Sequence, residues 1–305
     1  MIERNRSSSA SIPAWLAAIL LAAPPGHVIA EEKKPLDIRD PGADLANFPN
    51  SAFTLPRGGF YLEMAPAFFS AESSRLSAQY NWEYMLRYGL FDAVELRLYS
   101  QGFSVQGSPN SATGFSPLTL DTKIHLWDEI EAYFLPAAGL EVMVQTTWLG
   151  SSAFDAGTEP SFSFNFDQGL PWDVDLEYNL GAARFQDPDD PTDQVWDFTL
   201  SWALQRDVVE DVAVFVNGYH NSSNLPRTGR LAEKYVRVCP NSGPCRTEEL
   251  VQQYADDAED YVQHMIGGGT LWTVDDHIAV FGNIGVGLTS STPPVTAYFG
   301  FAWTP

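Results

Sequence analysis

The sequence predicts an all-β chain, a transmembrane antiparallel β-barrel of about twelve strands in an up-and-down meander. Segments of about ten residues alternate apolar and polar side chains a dozen times, each closed by a turn or a polar loop. Charged residues make up only 18% of the 305 positions while aromatics reach 13%, with 23 Gly and 21 Pro. That composition belongs to strands and turns rather than helices. The apolar face carries Trp, Tyr, Phe and Leu in every segment, and the opposite face holds small and ionisable groups. A soluble sandwich would keep its outer face charged, whereas a closed barrel in lipid needs an apolar exterior and a polar interior.

The first thirty residues read as an export signal. Arg4 and Arg6 form a positive start, Pro13 to Ala23 a short apolar run, and Val28-Ile29-Ala30 a small-residue end ahead of Glu31. The apolar run is about half of the roughly 20 residues a spanning helix needs, so cleavage after Ala30 and an outer-membrane destination are expected. Residues 31–57, rich in Pro, Asp and Asn, form either an irregular periplasmic lead-in or a plug of the lumen, and residues 58–305 form the barrel.

Strands are expected at Gly59 to Phe69, Ala78 to Tyr88, Ala93 to Gln101, Leu118 to Trp127, Phe134 to Trp148 and Ser161 to Gln168. Six more follow at Asp173 to Ala183, Trp196 to Leu204, Val212 to Asn221, Val262 to Thr273, Ile278 to Leu288 and Val295 to Trp303. In the third, Val94, Leu96 and Leu98 share one face while Glu95, Arg97 and Tyr99 share the other. Leu120, Ile124 and Leu126 oppose Asp121, Lys123 and His125 in the same way. Aromatics such as Trp82, Tyr88, Trp127, Trp172, Trp272 and Trp303 fall near strand ends, where interfacial girdles place them. The Gly267-Gly268-Gly269 run inside a strand pattern suggests a bend or bulge.

Short turns alternate with longer loops, of which 221–261 is the longest. It carries both cysteines, Cys239 and Cys245, which in an oxidising compartment read as a disulfide closing a tight loop. The acidic runs Asp187-Pro188-Asp189-Asp190 and Asp256 to Asp260 lack the spaced ligands of a calcium loop and read as solvated surface. No metal ligand set, phosphate loop or dinucleotide fingerprint is present, and no cofactor is expected. With 17 Lys+Arg against 39 Asp+Glu and a formal charge of -22, the chain repels a phosphate backbone, which excludes nucleic acid as a partner. The expected partners are a lipid bilayer and a small-molecule solute.

The run LRYGLFDAVELRL (Leu86 to Leu98), the segment Asp121-Thr122-Lys123, the stretch Leu176 to Gly181 and the closing DDHIAVFGNIGVGLTSSTPPVTAYFGFAW (Asp275 to Trp303) carry a resemblance. They are similar to the outer-membrane transporter family associated with the meta pathway of phenol degradation. The resemblance implies an outer-membrane barrel that passes small solutes, aromatic or hydrophobic compounds among them. The sequence departs from the pattern in following Trp303 with Thr304 and Pro305, where a final aromatic is usual.

In such a barrel the lumen and solute pathway would be lined by Glu63, Glu83, Arg87, Glu95, Arg97, Asp121, Lys123, His125, Glu141, Asp175, Glu177 and Asp197. Arg87 falls beside Glu95 and Arg97 near Asp121, so much of the set pairs, with an acidic remainder. His125 is expected to pair with Asp121 or Glu141. An unpaired acidic ring favours cations and neutral solutes and predicts a narrow channel. Full pairing predicts a closed, structural barrel. A third reading is a lipid hydrolase. Tyr219-His220-Asn221-Ser222 places His220 and Ser222 on one outward face, which resembles the His and Ser of outer-membrane phospholipase A and the lipid A deacylase. Gln263 and His264 on the next strand are the candidates to orient His220.

Overall fold

The computed structural model describes residues 36–74, 76–108, 111–186, 194–222, 234–238, 246–250 and 262–305. The strands are β1 (Phe60–Ser70), β2 (Gln79–Phe91), β3 (Val94–Gln106), β4 (Ala112–Phe115), β5 (Thr119–Trp127), β6 (Ala137–Gln145), β7 (Glu159–Leu170) and β8 (Val174–Gln186). They continue with β9 (Gln194–Val209), β10 (Val212–Ser222), β11 (Lys234–Val238), β12 (Arg246–Leu250), β13 (Gln263–Asp275), β14 (Ile278–Gly287) and β15 (Val295–Trp303). Among the described residues the one helical element is a 3-10 turn at Glu131–Tyr133.

Twelve of these strands pair antiparallel with their neighbours in order round a circle. β1 pairs both β2 and β15, and β2 pairs β3, so the sheet has no edge. Closure satisfies every ladder, the condition for backbone polar groups in hydrocarbon. The twelve predicted strands are all present, with ends shifted by a few residues. Two features were not predicted. β4 pairs with an extension of β3, and β11 and β12 pair with each other inside the long 221–261 connection.

Alternation sets the two faces. Leu96, Leu120, Val142, Phe164 and Val216 are exposed on the outer wall, while Glu63, Arg87, Glu95, Lys123 and Glu141 are fully buried on the inner one. Trp82, Tyr88, Trp127, Trp148, Trp172, Trp272 and Trp303 are exposed near strand ends. Within β1 and β3 the parity changes at a bulge. In β1 the register shifts between Met64 and Ala67, around Pro66, which has no N–H to give the ladder. In β3, Gly102 takes φ +62 where Trp82 faces two residues, a conformation that favours glycine. Gly267, Gly268 and Gly269, by contrast, pair without interruption on both sides, so the expected bulge there is corrected. Their role is room: a Cβ at Gly269 would sit 2.6 Å from the inward ring of Phe215.

Residues 36–57 run inside the barrel. Ile38 and Leu55 pack with Tyr61, Ala279 and Ala302, and Ala46 packs with Ala65, Phe281 and Tyr298, so this segment makes an apolar core against the β1–β14–β15 wall. Gly139 on β6 lets it approach, because a Cβ there would meet the Ala52 carbonyl oxygen at 2.8 Å. Residues 1–30, Cys239, Cys245 and both acidic runs lie outside the described residues.

Candidate functional site

The site is built from inward residues on β1, β2, β3, β5 and β6. Cross-strand register places Arg97 opposite both Arg87 and Asp121, Glu95 opposite Lys123, and Lys123 opposite Glu141. Arg87 donates from Nε to Glu95 at 2.6 Å and from Nη1 to Glu63 at 2.8 Å. Arg97 pairs with Asp121 and Glu141. The expected Arg87–Glu95 and Arg97–Asp121 pairs are therefore both present.

What sequence reasoning missed is the residue at their centre. Asp44, from the interior segment, accepts from Arg97 Nη1 at 2.6 Å and from Lys123 Nζ at 2.5 Å, with Arg87 Nη2 at 3.5 Å. Three cations thus meet five carboxylates, all fully desolvated, and the fifth comes from outside the barrel wall. Removing one partner from such a group leaves an uncompensated buried charge, which costs about 3–5 kcal/mol.

The inward carboxylates of the wall also bind the segment, through its backbone and its polar side chains. Leu45 N donates to Glu63 at 2.7 Å and Leu55 N to Glu95 at 2.8 Å. Asn50 Nδ2 reaches Glu141 at 2.8 Å, Asn47 Nδ2 reaches Glu177 at 2.9 Å, and Ser51 Oγ reaches Asp167 at 2.7 Å. Asn165 and Asn179 complete the set, the first donating to Glu141 at 2.7 Å and the second to the Asn50 carbonyl at 2.8 Å. Asp167 and Asn165 were legible, since they alternate with Phe162, Phe164 and Phe166. Asp44 lies in an aperiodic stretch that carries no signal.

The other predicted lumen residues lie apart from the centre. Glu83 is buried beside Asn81, whose Nδ2 donates to it at 3.4 Å. Asp175 is exposed and Asp197 half-buried opposite Ala183. His125 does not pair with Asp121 or Glu141. It lies one inward step beyond Lys123 toward the turn end, where Nδ1 faces the Ala52 carbonyl at 3.1 Å and Nε2 faces Asp128 at 3.0 Å.

Burial pulls the Asp44 carboxyl upward, but the Arg87, Lys123 and Arg97 cations outweigh it and hold it below the usual carboxylate range. A group ionised more easily when folded contributes stability above its unfolded pKa, about 3.9, and loses it as pH falls through the lower folded value. The Asp44 anchor is therefore expected to hold at pH 4 and to fail only in stronger acid. Hydrogen exchange of the 36–57 amides against pH, with Asp44→Asn as reference, measures this.

A cavity of about 390 Å³ remains between the segment and the β7–β8 wall, lined by Glu129, Asp167, Asp175 and Glu177, with Arg39 at one side. Asp167 and Glu177 are direct cross-strand partners, and Asp167 Oδ1 is buried with no hydrogen-bond partner among the described residues. Arg39 is itself held by Asp37, Asp211 and Asp276, so the lining is acidic in balance.

A family profile described as "Putative MetA-pathway of phenol degradation" matches residues 43–232. The chain belongs to that family. The matched region takes in Asp44, the carboxylates that hold residues 36–57, and the barrel strands from β1 to β10. Among curated proteins none matches the chain. Among solved structures, the NanC porin is similar at TM-score 0.48 and 7% identity, over 81% of this chain and 99% of that one. A bacterial polysaccharide outer membrane secretin follows at 0.36 and 7%, over 81% and 97%. The outer membrane channel DcaP of Acinetobacter baumannii follows at 0.34 and 8%, over 81% and 72%.

His220 and Ser222 lie at the loop end of β10, with Ser222 buried. Val214 and Val216 are exposed, which confirms the outward parity of His220. Its ring faces His264, Nδ1 to Nδ1 at 3.3 Å, and Gln263 engages Asn221 instead, at 3.4 Å.

Proposed function

We propose that the protein is an outer-membrane channel for small solutes, non-enzymatic, and closed at rest by its own residues 36–57. The observation that carries this reading is the seating of Asp44 among Arg87, Arg97 and Lys123, because it spends the lumen's positive charge on holding a segment rather than on binding a solute. A twelve-stranded barrel is narrower than the 16–18-stranded open porins, so a 22-residue segment suffices to fill it. Short turns at one end and long loops at the other fit a periplasmic turn end and an exposed loop end in a bilayer. Membership of the phenol-degradation family supports small aromatic compounds as the solute class. The acidic cavity beside the segment supports neutral or cationic solutes over anions.

The test is conductance of the refolded mature protein in a planar bilayer under a salt gradient. Wild type is expected to conduct weakly, with a reversal potential on the cation-selective side. Asp175→Lys, at the exposed edge of the cavity, is expected to move that potential toward anion selectivity. An anion-selective wild type, or a potential indifferent to Asp175→Lys, would overturn the acidic-pathway reading.

A further inference from the structure

His220 and His264 lie on adjacent strands as direct cross-strand partners. Even-numbered residues of β10 and β13 point outward, as the exposed Val214, Val216, Ile266 and Trp272 show. Both imidazoles therefore stand on the outer wall at the loop end, where the chain leaves β10 and returns to β13. Their ring centroids are 4.4 Å apart and their planes 35° from one another. The two Nδ1 atoms converge at 3.3 Å, longer than a good N–H hydrogen bond of about 2.7–3.2 Å.

That separation has another chemical meaning. Two imidazole nitrogens bound to one tetrahedral ion at about 2.0–2.1 Å stand roughly 3.3 Å apart. The convergent pair thus has the bite of a chelate, and its backbone is fixed in advance. β10 and β13 pair without a shift from Val212 to Asn221, and the His264 N–H donates to Thr292 Oγ1 at 2.9 Å. The ring of Phe198, 6.1 Å from that of His220, stands beside the pair. Among the described residues no third His, Cys, Asp or Glu gathers with them. The ligand set is therefore two imidazoles, with water to complete the shell. Imidazole donors without carboxylates select Cu²⁺, Ni²⁺ or Zn²⁺ and reject Ca²⁺ and Mg²⁺.

We propose that His220 and His264 form a two-histidine site for a divalent transition metal on the outer rim of the barrel, tying β10 to β13 at the base of their long connection. It accounts for His220 through coordination rather than catalysis and is independent of the channel reading.

The experiment titrates the whole refolded protein in detergent with Cu²⁺ alone and follows the electron paramagnetic resonance spectrum. Wild type is expected to bind one ion per chain with two equatorial nitrogens. His264→Gln and His220→Asn, each retaining the heat-modifiable gel mobility of a closed barrel, should each lose that two-nitrogen spectrum. Zn²⁺ in large excess should compete with Cu²⁺ for wild type, and Mg²⁺ at the same concentration should not. A two-nitrogen spectrum that survives in the His220→Asn, His264→Gln double variant would place the ion elsewhere and overturn the proposal. So would a wild type that binds no Cu²⁺ saturably.

Discussion

Asp44→Lys is expected to unseat residues 36–57 and raise the single-channel conductance several-fold, while leaving the barrel closed and heat-modifiable. In wild type the Asp44 carboxylate lies against Arg97 and Lys123, with Arg87 at 3.5 Å. A lysine there would set a fourth cation against Arg87, Arg97 and Lys123 at the point where the one carboxylate that faces all three now lies, while the four wall carboxylates keep the cations they already serve. An uncompensated buried charge costs about 3–5 kcal/mol, and every 1.4 kcal/mol is a factor of ten in a population. The seated state would thus lose about two to three and a half powers of ten relative to an open one. The wall loses less, because water entering the vacated lumen solvates Glu63, Glu95 and Glu141 once their partners on the segment leave. Planar-bilayer recording of both proteins decides the matter. Equal conductance from Asp44→Lys and wild type, with both correctly folded, would mean that the segment does not gate the pore.

The barrel wall was legible because a strand's two faces have opposite solvents, and a period of two survives every substitution that keeps that division. All twelve barrel strands follow from it. The charged lining followed from the same parity: Glu95, Arg97, Asp121, Lys123 and Glu141 alternate with Leu96, Leu98, Leu120 and Val142, and their register makes the pairs. Asp44 was not legible. Its segment has no period, and its partners lie 43 to 79 residues away along the chain, at Arg87, Arg97 and Lys123. The parity changes at Pro66 and Gly102 were missed for a related reason. A bulge shifts alternation by one residue, and within a single strand that looks like ordinary noise. His125 went to a different partner because height along the strand, not face alone, decides what an inward side chain meets.

Arg97→Met is expected to be the most destabilising single change in the lumen. Arg97 touches carboxylates from three separate elements, namely Asp44 of the interior segment, Asp121 of β5 and Glu141 of β6. A methionine fills much of the same volume but leaves Asp121 and Glu141 without their guanidinium, while Lys123 Nζ, at 2.5 Å, and Arg87 Nη2, at 3.5 Å, still face Asp44. Breaking such a buried group by removing one member costs about 3–5 kcal/mol, read as a lower midpoint for urea unfolding of the refolded barrel at unchanged slope. Arg97→Lys should recover only part of the loss, because a single ammonium cannot reproduce the planar fork that serves three carboxylates at once. Asp44→Asn in the Arg97→Met background should restore stability, since it frees Lys123 for the acids left unpaired and lowers the excess of five carboxylates over two cations, although Asp44→Asn in the wild-type background lowers it. That reversal of sign separates electrostatic compensation from lost packing. If Arg97→Met unfolds at the wild-type urea midpoint, the ion network does not hold the lumen, and the apolar contacts of Ile38, Ala46 and Leu55 with the β1–β14–β15 wall are what fix the segment in place.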